Sequence, residues 1–271
     1  MWRRPSITGA STGSTGRRVG LALPGQIGAG GRALQEVRVC VAGAADLLWP
    51  PECCVCGRAG ELFFCQSCRD MLGIIEPPCC VRCGLPGVRA SCPDCGEAPW
   101  DKSHPCDAMR QIAVYEGVWR EAIHRFKYDG MRCLAGELGM MLTDWLDAAP
   151  VSWREVDVVA AVPGRLLRCW EIGFYHAREL AARVAAHLER PLVDPVKRLA
   201  GPSQMGLSRE ERLLNAKRLY GLRRGAELVA GKRVLLIDDV VTTGATAQAV
   251  SALLKHSGAA HVRMLALARS V

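Results

Sequence analysis

From residue 107 to the C-terminus, short apolar blocks alternate with amphipathic stretches. Gln111–Tyr115 reads as a strand. Trp119–Tyr128 and Leu134–Leu146 place apolar residues at three- and four-residue intervals and predict helices. Val156–Val162 is a short apolar run ended by Pro163, as expected of a buried parallel strand. Phe174–Leu188 is an Ala-rich helix. Ser208–Leu219 is a highly charged one, opened by a capping pattern from Ser208 to Glu211. Val234–Ile237 is another buried strand. A Gly-bearing turn, a helix from Ala245 to His256 and a last strand at His261–Ala266 follow. This alternation predicts an α/β fold, a parallel sheet flanked by helices with its site at the carboxyl ends of the strands.

Ahead of residue 107 aliphatic residues thin out and cysteine takes over. Eight of the chain's 14 cysteines form two identical sets, Cys53, Cys56, Cys65, Cys68 and then Cys80, Cys83, Cys92, Cys95. Each member of the second set lies 27 residues after its counterpart, and Gly57 and Gly84 keep the same offset. This is an internal duplication of one small unit. A C-x-x-C turn brings two thiolates to one ion, and two such turns complete a tetrahedral four-cysteine zinc site with no position left for an activated water. Two structural zinc ions are therefore expected, and their binding would supply folding free energy that so small a core cannot. Disulfides are the competing reading, disfavoured by the lack of a secretory signal. The spacing leaves the ligand pairing open: each repeat binds its own ion, or the knuckles interleave. Cys54 and Cys79, beside knuckle residues, are alternative ligands. Cys40, Cys106, Cys133 and Cys169 lack partner spacing and read as small core residues or free thiols.

The net charge of +8 changes the picture little. Residues 1–38 hold six Arg against one Glu, a net +5, so the rest of the chain carries only +3. That is weak support for a phosphate-binding surface. Residues 1–36 read as a disordered tail or an over-long translation start, with an organellar transit peptide as the rival. No apolar run approaches the roughly 18 residues of a membrane span, and a cytoplasmic protein is expected.

The chemistry concentrates at residues 234–246, where a buried apolar strand leads to Asp238 and Asp239, then to Thr242, Thr243, Gly244, Ala245 and Thr246 at a helix start. Free backbone N–H groups and the helix dipole favour a phosphate there. Thr hydroxyls add donors, Gly244 permits close approach, and paired carboxylates can accept hydrogen bonds from a vicinal diol. Neither the Walker nor the dinucleotide glycine pattern is present. An ordinary capped strand–turn–helix would leave the paired aspartates unexplained.

The segment resembles the phosphoribosyl pyrophosphate (PRPP) signature of type I phosphoribosyltransferases. Together with the paired knuckles it resembles the ComF/GntX family from about residue 40 onward. Phe126-Lys127-Tyr128-Asp129-Gly130, Val162-Pro163 followed by Arg168, and Gln204, Leu207, Arg212 and Asn215 fall on further blocks of that family. The resemblance implies a small zinc-ribbon-like module at 37–106 and a phosphoribosyltransferase-like domain at 107–271. It also implies that Asp238 and Asp239 hold ribose hydroxyls, Thr242–Thr246 cradle the 5-phosphate, and Lys127 and Arg168 meet the pyrophosphate, with Mg²⁺ accompanying PRPP. One block departs from the family. Where the family reads Arg-Gly-Phe-Asn-Gln, this chain has Ile172, Gly173, Phe174, Tyr175 and His176, and Ile cannot bind pyrophosphate oxygens. His176 reads more simply as a polar helix start than as an acid or base. Two functions are expected from the resemblance. One is a PRPP-binding protein, in the enzymatic case a transferase of unknown acceptor. The other is a non-catalytic factor in competence and DNA uptake, whose zinc module meets DNA or a partner protein.

Overall fold

The computed structural model describes residues 52–59, 64–88, 92–96, 104–164, 175–199 and 218–270. The expectations for the tail 1–36, for Cys40, Arg168, Cys169 and Ile172–Phe174, for Gln204, Leu207, Arg212 and Asn215, and for nearly all of the charged helix 208–219 lie outside them.

A short helix α1 (Gln66–Asp70) belongs to the cysteine-rich module. The α/β part runs β1 (Ala108–Val114), α2 (Gly117–Tyr128), α3 (Leu134–Ala148), β2 (Val158–Ala161), α4 (His176–His187), β3 (Leu192–Val193), β4 (Val196–Arg198), β5 (Tyr220–Leu222), β6 (Arg233–Val241), α5 (Ala245–His256) and β7 (His261–Arg269). Among the described residues five strands form one sheet in the order β1-β7-β6-β2-β3, and every pairing in it is parallel. β4 and β5 form a separate antiparallel ribbon.

Patterning accounts for the core. β6 holds Val234, Leu235, Leu236 and Ile237 buried at the sheet centre, and β7 is buried over most of its length. The stripe Val118, Trp119, Ala122, Ile123 and Phe126 turns one face of α2 inward. At a rough 1.5–3 kcal/mol for each large apolar side chain buried, this stripe alone anchors the helix that carries Lys127. Elements predicted from periodicity recur within a few residues. β6 differs: it continues past the aspartates to Val241, because Val240 and Val241 stay paired with Ala268 and Arg269 of β7.

The cysteine-rich module is built onto the sheet edge. Met109 N–H donates to the Arg82 carbonyl (2.6 Å), Ile75 N–H to Ile112 O (2.6 Å), and Trp119 Nε1 to Gly73 O (2.8 Å). Arg110 Nη1 donates to the carbonyls of Cys80 (2.9 Å) and Val81 (3.0 Å). Arg269, at the end of β7, donates to Cys83 O (3.1 Å) and pairs with Asp94. Among the described residues no helix is long and apolar enough to cross a membrane.

Candidate zinc centres and phosphoribosyl cleft

The duplication seen in the sequence extends to single hydrogen bonds. Cys53 N–H donates to Arg58 O (2.9 Å) and Cys80 N–H to Leu85 O (2.8 Å). Gly57 and Gly84 donate to Cys53 O and Cys80 O, both at 2.9 Å. The bridges Glu52–Ala59 and Cys79–Pro86 also repeat. Each turn closes on a left-handed glycine, Gly57 at φ +72° and Gly84 at φ +75°, a backbone that side-chain-bearing residues resist.

The repeats do not interleave. Cys53, Cys56, Cys65 and Cys68 converge, as do Cys80, Cys83, Cys92 and Cys95, with the sulfurs of each set within 4.8 Å of one another. Cys56 and Cys65 Sγ are 3.6 Å apart, as are Cys83 and Cys92 Sγ. A tetrahedral zinc with bonds of about 2.3 Å requires about 3.8 Å between sulfurs, so both sets fit the ion and neither matches a disulfide. Burial raises the Cys53 thiol, but N–H groups of Cys56, Cys65 and Val55 more than compensate and bring it down to about 6. Cys80 is lowered by the same kind of knuckle donors, Cys83 and Arg82, against its own burial. Cys54 and Cys79 stand outside both sets. Cys54 is buried, and burial pushes its thiol up to about 12, the behaviour of a core residue. Cys106 is likewise buried, and burial pushes its thiol to about 12, whereas Cys133 is an exposed free thiol.

The second constellation follows from topology. The chain leaves β2 through α4 towards β3 on one side, and leaves β6 through α5 towards β7 on the other. β2 and β6 are therefore adjacent at a point where the winding reverses, which opens a crevice beyond their carboxyl ends. β2 stops pairing at Ala161 opposite Ile237, while β6 runs on, so Asp238 and Asp239 emerge beside Val162, Pro163 and Gly164. A cleft of about 270 Å³ lies there, lined also by Lys127, Tyr128, Tyr175, His176, Arg198, Tyr220 and Thr246.

Lys127 Nζ lies 2.7 Å from Asp239 Oδ1, so α2 and β6 meet in an ion pair at the cleft wall. Lys127 does not merely extend its stem along a surface. Burial opposes its charge, but the Asp239 and Asp238 carboxylates outweigh that and hold its pKa above the ordinary lysine value. Loss of solvation, then the neighbouring Asp239 charge, push the Asp238 carboxyl well above the ordinary aspartate value. Asp238 Oδ1 accepts from Asp239 N–H (2.9 Å), and Asp239 Oδ1 from Val240 N–H (2.6 Å). Gly244, at φ +75°, is the N-cap of α5. Thr243 Oγ1 accepts the Ala245 N–H (3.3 Å), and Thr246 reaches the cleft from the first turn.

Tyr175 and His176, the departures from the family pattern, also line this cleft. Tyr175 Oη donates to Gly164 O (3.2 Å), and its ring would lie 3.1 Å from a Cβ at Gly164. His176 opens α4 and meets Phe126 edge-on, ring centroids 5.0 Å apart. Sequence reasoning missed Arg198 and Tyr220, which stand on three-residue strands with no periodicity to mark them.

The cleft also rests on the second cysteine set. Arg269 pairs in register with Val241, the residue before Thr242, and its guanidinium reaches Cys83 O and Asp94. Met109, bonded to Arg82, would lie 3.4 Å from a Cβ at Gly244.

Comparison with known proteins agrees with this division of labour. Residues 44–97 match the double zinc ribbon domain and residues 175–270 the phosphoribosyl transferase domain. The chain is 31% identical over 180 residues to competence protein F of Haemophilus influenzae, covering 64% of this chain and 75% of that protein. It is 27% identical over 181 residues to DNA utilization protein YhgH of Escherichia coli K12, covering 65% and 78%. Over 92 residues it is 33% identical to orotate phosphoribosyltransferase of Chlorobium phaeobacteroides, covering 31% and 48%. With a double zinc ribbon match, a phosphoribosyl transferase match and 31% identity over three quarters of competence protein F, the chain belongs to the ComF family.

Proposed function

We propose that this protein binds PRPP or a closely related phosphoribosyl ligand in the β2/β6 crevice, in the service of DNA uptake or utilization. The observation that carries the reading is the pair Asp238 and Asp239 emerging at the switch point with Lys127 at 2.7 Å. Residues 107–271 form the ligand domain. Residues 37–106 form the zinc module, with each four-cysteine set holding one structural ion. Asp238 and Asp239 accept hydrogen bonds from the ribose diol. Thr242, Thr243, Gly244, Ala245 and Thr246 take the 5-phosphate on the start of α5, where N–H groups and helix dipole favour an anion. Lys127, kept charged by the aspartates, turns from Asp239 towards the pyrophosphate, joined there by Arg168. Mg²⁺ carried by PRPP would supply neutralisation of the pyrophosphate charge.

In a transferase, the C1–O bond to pyrophosphate breaks as a nitrogen nucleophile forms a bond to C1 and gives up its proton. The protein's part is positioning and charge stabilisation. Tyr175 supports a second reading, binding without turnover, because its ring packs on Gly164 and its hydroxyl holds the Gly164 carbonyl, narrowing the side where pyrophosphate would leave.

The test is calorimetry of the zinc-loaded protein with PRPP and Mg²⁺, beside an Asp238→Asn/Asp239→Asn double variant. Binding by the wild type that is lost in the variant is expected. No binding by an intact, zinc-loaded wild type overturns the assignment. A panel of nucleobase acceptors, read by pyrophosphate release, separates transferase from binding module.

A further inference from the structure

The 5-phosphate of a phosphoribosyl ligand is a dianion at neutral pH. A helix start contributes roughly half a positive charge, and Thr hydroxyls contribute none. Of the cleft's described side chains, Lys127 and Arg198 are the permanent cations. Lys127 is already engaged by Asp239 at 2.7 Å. Arg198 is not engaged by a carboxylate among the described residues. Its Nη1 donates to Tyr220 Oη (3.1 Å), and its guanidinium lies 5.6 Å from the centroid of the Tyr220 ring.

Arg198 ends β4 and Tyr220 begins β5, directly across the antiparallel ribbon in register. The ribbon packs against α5, the helix whose first turn carries Thr246. Tyr220 is only 4% exposed, so its hydroxyl is a fixed point, and it faces the side chains of both Arg198 and Thr246. Cation, phenol and threonine are thus successive neighbours in the lining of the cleft, beside the phosphate loop.

Resting on the reading above, we propose that Arg198, oriented by Tyr220, is a 5-phosphate-binding residue: it supplies the positive charge that the Thr242–Thr246 loop lacks. An arginine fork suits a phosphate monoester because two N–H groups can meet two oxygens. Tyr220 is a positioning residue. Its ring holds the guanidinium plane, and its hydroxyl fixes the side from which the fork reaches out.

Calorimetry with ribose 5-phosphate and with Mg²⁺-pyrophosphate, each on the zinc-loaded chain, tests this. Arg198→Ala is expected to weaken ribose 5-phosphate about tenfold or more, the scale of a charge-assisted contact, while leaving pyrophosphate affinity within about twofold. Retained pyrophosphate binding also shows that the variant is folded. Arg198→Lys should restore part of the loss, and Tyr220→Phe should weaken ribose 5-phosphate less than Arg198→Ala does. Loss of pyrophosphate with ribose 5-phosphate retained overturns the assignment by placing the cation at the leaving group. Equal loss of both ligands, or of neither, overturns it too. A wild type that binds neither ligand refutes the phosphoribosyl reading itself, and this inference falls with it.

Discussion

Gly57 and Gly84 offer a matched pair for testing how the second zinc ribbon is fastened to the sheet. Both close a knuckle in the left-handed region, at φ +72° and +75°. Alanine there costs about 1–2 kcal/mol in backbone strain, offset by about 0.4–1 kcal/mol from stiffening the unfolded chain. Among the described residues nothing lies within 4 Å of a Cβ added at Gly57, so the net loss should stay near 1 kcal/mol. At Gly84 the Cβ would lie 2.5 Å from Gln111 Oε1 and 3.0 Å from the Met109 carbonyl. Gln111 is buried and the carbonyl belongs to β1, so the ribbon must shift away from the sheet. Overpacking of this kind adds about 1–3 kcal/mol. An excess of about 2 kcal/mol for Gly84→Ala over Gly57→Ala corresponds to about 4–8 °C in a domain of this size. Thermal unfolding of the two zinc-loaded variants side by side measures it, with metal analysis confirming zinc content. Equal losses, or the greater loss at Gly57, would refute the docking described for Gly84.

Other predictions follow from the same geometry. Metal analysis should find two zinc ions per chain, and Cys56→Ser or Cys83→Ser should each remove one, since the sets close independently. Asp238→Asn should stabilise the protein while ending ligand binding. The raised carboxyl costs the folded state nothing below the ordinary value of 3.8, and the cost grows as pH rises towards its folded value. The gain in Tm should therefore be larger at pH 7 than at pH 5, and the reverse order would contradict this. Lys127→Met should lower Tm, because it leaves two adjacent carboxylates without their cation, a loss of about 3–5 kcal/mol at most for a buried pair broken on one side. An unchanged Tm would show that the pair contributes little.

Much of this molecule can be read from residue order alone, and particular residues show why. Helix α5 begins and ends where Ala245 and His256 predict, because a glycine N-cap and an apolar stripe mark it from within. The zinc ligands are legible because eight cysteines repeat at 27 residues. Their pairing is not, since either grouping satisfies the spacing and only the closure of each ribbon by its own bridges decides between them. β3, β4 and β5 are two or three residues long, too short for any period to register. Arg198 and Tyr220 are 22 residues apart and meet only through the β4–β5 register. The Lys127–Asp239 pair spans two elements that local pattern cannot bring together.

The proposed phosphoribosyl ligand sits on the segment from Asp238 to Gln248. Hydrogen–deuterium exchange of that segment, with and without PRPP and Mg²⁺, tests this placement most directly, because first-turn amides of α5 would donate to the phosphate. Slowed exchange there in the wild type, and no change in the Asp238→Asn/Asp239→Asn variant, is the predicted result. Slowed exchange confined to other segments, or none at saturating ligand, would contradict it.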